Sequence, residues 1–116
     1  MIRTSYFGAI PRIIAVEKEP ILVAICRWKP KAFNGFWMPQ LAPSVELLTA
    51  YKNGKVTPQQ YVERYRKEQE GSDLLQRMIE RAKGKNVFLL CYEKPGDFCH
   101  RHLLGLKEWH SVSPRG

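Results

Sequence analysis

Acidic residues are scarce in this chain: 11 Asp and Glu stand against 19 Lys and Arg, for a formal net charge of +8. The imbalance points to an anionic partner, although charge alone names none. Long apolar runs are missing as well. None approaches the roughly 20 residues needed to cross a bilayer, so no membrane partner is expected. The opening Met1-Ile2-Arg3-Thr4-Ser5-Tyr6 has no extended apolar stretch, and no secretory signal is expected. Cysteines number only three, an odd count that argues against a disulfide framework and makes the reducing cytoplasm the expected location. No internal repeat or low-complexity segment is present.

What is present is the composition of an ordinary globular protein. Of 116 residues, 44% are hydrophobic and 26% charged, which excludes a disordered tail and leaves room for one compact domain. Residues 1–110 are expected to form that domain, and residues 111–116 a flexible tail.

The run Ile21-Leu22-Val23-Ala24-Ile25-Cys26 is continuously apolar and rich in branched side chains, as is Val87-Phe88-Leu89-Leu90-Cys91. Both predict strands buried on two faces, the kind found inside parallel sheets. Thr4 to Phe7 is a shorter strand candidate, and Arg12 to Val16 a weaker one. Trp28 to Pro43 reads as a long connection holding Pro30, Pro39, Pro43 and the aromatics Trp28, Phe33, Phe36 and Trp37. Loops of that length in small domains are often functional, yet such aromatics also serve to plug a sheet edge.

Helix signals follow. Ser44 caps a helix running to Lys52, which Asn53-Gly54 stops. Thr57-Pro58-Gln59-Gln60 combines a cap, a proline at the first helical position and a capping box, with Tyr61, Val62 and Tyr65 on the apolar face. Leu74, Leu75, Met78 and Ile79 form the stripe of a third helix. A last helix is predicted from Asp97 or Phe98 to about Trp109. The alternation gives an α/β class, a layered domain with a small, mostly parallel sheet flanked by helices.

In such sheets ligands bind beyond the carboxyl ends of the strands. One buried strand ends in Cys26-Arg27, the other in Cys91-Tyr92-Glu93. The last helix opens with Cys99-His100-Arg101, where free backbone N–H groups and the arginine fork suit carboxylate or phosphate. Arg27, Cys91, His100 and Arg101 are therefore the candidate ligand-binding residues. Cys99, beside a histidine and an arginine, is a candidate nucleophile, although helical spacing with Leu103 and Leu106 would also turn it toward the sheet. Glu93 is a candidate general acid or base, or else an ion-pair partner that orients Arg27 or Arg101. Cys91, Cys99, His100 and His102 lack the tight Cys-x2-Cys spacing of zinc sites, and neither a metal nor another cofactor is expected.

The run Leu89-Leu90-Cys91-Tyr92-Glu93-Lys94-Pro95-Gly96-Asp97-Phe98-Cys99-His100-Arg101 resembles the signature of the domain of unknown function 488 family: a strand ending in Cys-x-Glu, a short loop, and Cys-His-Arg opening a helix. Ile25-Cys26-Arg27 resembles that family's strand ending in arginine, and Leu41-Ala42-Pro43-Ser44 its short members. Two departures are evident. Thr4-Ser5-Tyr6 stands where longer members have Gly-His-Ser, and Ile25-Cys26-Arg27 where many have Asp-x-Arg. The resemblance implies the fold and the place of the site.

The expected function is binding of a phosphate-bearing, nucleotide-like small molecule or a nucleic acid. Two alternatives stand beside it: a non-catalytic nucleic-acid-binding module using the basic, aromatic loop 27–37, and a cysteine-dependent enzyme acting through Cys99. The residues leave open whether the protein is an enzyme, and they do not give its oligomeric state.

Overall fold

The computed structural model describes residues 1–82, 84–92 and 100–106. Four parallel strands, β1 (Ile2–Tyr6), β2 (Ile21–Ala24), β3 (Phe36–Trp37) and β4 (Val87–Cys91), form one sheet in the order β1-β4-β2-β3. The helices are α1 (Ile10–Val16), α2 (Val45–Lys52), α3 (Pro58–Gln69) and α4 (Leu74–Arg81), with short 3-10 turns at Phe7–Ala9, Pro39–Leu41 and His100–Leu104. The α/β class with a parallel sheet is as the alternation of apolar runs predicts. None of these helices is long and apolar enough to cross a membrane.

β4 is central, and all five of its residues are buried. Its side chains alternate between two cores, which is why its sequence is apolar throughout. Phe88 and Leu90 pack with Ala24, Cys26, Phe33, Ala9 and Ile13 on one face. Val87 and Leu89 pack with Val23, Ile25, Leu41 and Ala82 on the other, covered by Leu74, Leu75 and Met78 of α4. Ile79, expected in that stripe, is exposed. A third cluster of Leu47, Val56, Tyr61 and Tyr65 joins α2 to α3.

The helix-start signals at Ser44 and Thr57 hold. Leu47 N donates to Ser44 Oγ at 3.1 Å. At Thr57 both capping-box bonds form, Gln60 N to Thr57 Oγ1 and Thr57 N to Gln60 Oε1. Glu68 of α3 also accepts from the backbone and hydroxyl of Ser44, tying the starts of α2 and the end of α3 together.

Four sequence expectations need correction. Arg12 to Val16 is not a strand but most of α1. Pro11 opens that helix, and only one face is covered: Ile13 is 0% exposed, whereas Ile14 is 57% exposed. The Trp28–Pro43 connection is not all loop. It contains β3, which pairs Val23 with Phe36 and Ala24 with Trp37. The last helix does not reach Trp109 unbroken. Its described part is a five-residue 3-10 turn, after which Gly105 takes a left-handed φ of +74° that ends it. The first strand begins two residues earlier than expected, at Ile2.

Ser5 carries a cost that can be removed. Its hydroxyl is fully buried and has no hydrogen-bond partner among the described residues. An unsatisfied buried donor costs about 1 kcal/mol or more. Ser5→Ala is expected to raise the melting temperature by roughly 4 °C in a thermal denaturation scan; a fall would contradict this.

Candidate functional site

Because β4 lies between β1 and β2, the carboxyl ends of the two buried strands are neighbours. Ala24 pairs with Leu90, so Cys26-Arg27 leaves the sheet beside Cys91-Tyr92. A cavity of about 310 Å³ opens there. The strand ends contribute Cys26, Arg27, Trp28, Cys91 and Tyr92, and His100 lies alongside. The helices contribute Tyr51 and Lys52 from α2 and Tyr61 from α3.

Each wall is fixed by a specific contact. Trp37 Nε1 donates to Cys26 O at 2.8 Å, so the edge strand holds the end of β2. Cys26 Sγ and Tyr92 OH both donate to Trp28 O, at 3.1 and 2.8 Å. Tyr92 packs edge-on against Phe7, with ring centroids 5.0 Å apart, and Phe7 in turn against Phe33. Burial, and then the neighbouring Cys26, raises the Tyr92 pKa above its ordinary value. Its hydroxyl therefore stays a protonated donor at neutral pH. On the helical side Tyr51 and Tyr61 pack with centroids 4.9 Å apart.

Arg27 donates from Nε and Nη2 to Pro43 O at 3.2 and 3.1 Å. These bonds clamp the entry to α2 and leave Nη1 outside the clamp. His100 lies 2.8 Å from Ile25 O through Nε2. A carbonyl only accepts, so Nε2 carries the proton. The ring also meets Tyr65 edge-on.

The sequence-predicted site residues thus part company. Arg27, Cys91 and His100 come together on the cavity. Arg101 does not reach it: the side chain is 0% exposed and donates from Nη1 to Cys91 Sγ at 3.4 Å, behind the wall. Among the described residues, Arg101 is thus a neighbour of the cavity wall and not part of its lining. The tight 3-10 turn buries both His100 and Arg101, and only His100 lines the cavity. Glu93 and Cys99 lie outside the described residues, as does the expected helix start at residues 97–99. Among the described residues, no group of three His, Cys, Asp or Glu side chains is placed to hold a metal ion.

Sequence reasoning passed over Tyr51, Lys52, Tyr61 and Tyr92 as site residues. Tyr61 is legible as a buried helix position, but its helix docks at the mouth of the sheet only through the tertiary fold. The signal available for Tyr51-Lys52 was weak: an aromatic beside a cation in the last turn of a helix.

Comparison with curated proteins and with solved structures gives no match. A family profile described as the active DUF488-N3 subclade matches residues 12–109, which include both strand ends and the Cys-His-Arg run. That span covers most of the chain, and the protein therefore belongs to the domain of unknown function 488 family.

Proposed function

We propose that the cavity binds a phosphate-bearing, nucleotide-like molecule. One observation carries this reading: two cations, Arg27 and Lys52, and four aromatic side chains, Trp28, Tyr51, Tyr61 and Tyr92, line one cavity at the carboxyl end of a parallel sheet. The aromatic faces suit a planar base. The cations suit a phosphate, with Arg27 Nη1 offering a donor that the Pro43 clamp does not use. The volume of about 310 Å³ falls at the small end of ligand sites, which run roughly from 300 to 1,000 Å³. That favours a mononucleotide-sized group over a larger cofactor.

Isothermal titration with adenosine 5′-monophosphate, adenosine and ribose 5-phosphate tests the reading. The monophosphate is expected to bind more tightly than either fragment. Lys52→Ala is expected to weaken it about fivefold, the effect of one solvent-screened charge pair worth about 1 kcal/mol. Binding of adenosine as tight as its monophosphate, unchanged by Lys52→Ala, would count against a phosphate site.

A further inference from the structure

Resting on that reading of the cavity, we infer that its natural occupant is one nucleotide of a single-stranded nucleic acid, whose neighbouring nucleotides run over the exposed aromatic edge formed by Trp28 and Trp37. The cavity and the edge meet at Cys26, which lines the cavity and accepts from Trp37 Nε1. Trp28 lines the cavity and is also 56% exposed. Trp37 lies in the outermost strand of the sheet and is 44% exposed. Phe36, in register with Val23 where Trp37 is in register with Ala24, stands on the opposite face of the sheet. Trp28 and Trp37 therefore expose large apolar surface on either side of Cys26, which a folded protein does not leave open at random.

Charge selects the partner. From Pro20 to Val45 the chain has no acidic residue, and its three cations, Arg27, Lys29 and Lys31, cluster around Trp28. An apolar protein partner would gain nothing from these cations. A single strand uses both kinds of side chain, because bases stack on aromatic faces while phosphates meet the cations. A duplex fits poorly, since its bases are already stacked and cannot reach the aromatics or enter the cavity. The edge is also held rigid: Trp37 Nε1 is pinned to Cys26 O, and Met38 N donates to Ala24 O at 2.8 Å. A rigid platform binds without the cost of ordering it.

The test measures affinities for thymidine 5′-monophosphate, an oligothymidylate of about ten nucleotides, the matching oligouridylate and a duplex of the same length. Both single strands are expected to bind at least about tenfold more tightly than the monophosphate and than the duplex. Trp37→Ala is expected to lower oligonucleotide affinity about fivefold, whereas Phe36→Ala, on the opposite face, is expected to leave oligonucleotide and monophosphate affinity unchanged. Lys31→Ala is expected to reduce the salt slope by about 0.7. Tight binding by only one of the two single strands assigns the sugar preference within the same proposal. If the monophosphate binds but oligonucleotides bind no better, or the duplex binds equally well, the inference is overturned and the cavity reading stands. If nothing binds, the cavity reading itself has failed.

Discussion

Replacing Arg101 with alanine is expected to destabilise the protein by about 3 kcal/mol, lowering the melting temperature by roughly 10 °C. Arg101 is the largest fully buried side chain among the described residues. It fills the space behind Cys91 and donates to that sulfur. Truncation to alanine opens a cavity and removes a donor from a region that water does not reach. Methionine keeps most of the volume, so it restores the packing lost on truncation while the bonds of the guanidinium remain unmade. Arg101→Met is therefore expected to recover at least half of the lost stability. It is also expected to change adenosine monophosphate affinity by less than about threefold, because Arg101 stands behind the cavity wall. Thermal denaturation and titration on the two variants check both statements. Loss of binding in a well-folded Arg101→Met protein would show that this guanidinium acts on the ligand after all.

Gly35→Ala is the second substitution with a large expected effect. A Cβ at position 35 would lie 2.7 Å from the carbonyl oxygen of Leu22 and 2.7 Å from the ring of Phe33. Neither neighbour can yield easily. Leu22 sits in β2 and is paired with Phe88 of the central strand. Phe33 is packed in the core cluster with Ala24 and Leu90. The close approach, rather than an unusual backbone angle, is what requires glycine here. Overpacking of this kind costs about 2 kcal/mol. The strain would be relieved by moving β3 outward, which breaks the short ladder to Val23 and Ala24 and loosens the Trp37 bond to Cys26 O. Gly35→Ala is accordingly expected to lower both the melting temperature and the extra affinity for oligonucleotides. An unchanged melting temperature would contradict the packing described.

Much of this structure is legible in the chain. The two continuously apolar runs identify β2 and β4, because burial on both faces leaves no polar alternation. Ser44 and Thr57 mark the starts of α2 and α3, because capping is local chemistry between residues three apart. The failures have equally local causes. Ile13-Ile14 in a short apolar stretch suits strand and helix alike, and the deciding signal was Pro11 at the helix start. β3 has two residues, too few for any periodicity, and exists because β2 offers it a ladder. The exposed Gly105 ended a helix that apolar spacing alone extended.

The site was legible in part. That both buried strands end in reactive residues could be read directly, but their adjacency could not, because it depends on β4 inserting between β1 and β2. The sequence pattern also does not say on which side of the wall an arginine lies. Arg27 and Arg101 follow comparable strand and loop signals, and packing alone separates the one on the cavity from the one behind it.

The most direct test of the central reading is a nuclear magnetic resonance titration of the isotope-labelled chain with adenosine 5′-monophosphate. The account predicts saturable shifts concentrated on the side chains of Arg27 and Trp28 and on the amides of Lys52, Tyr61 and Tyr92, around the cavity at the ends of β2 and β4. Saturable shifts confined to another surface, or none up to millimolar ligand, would contradict it.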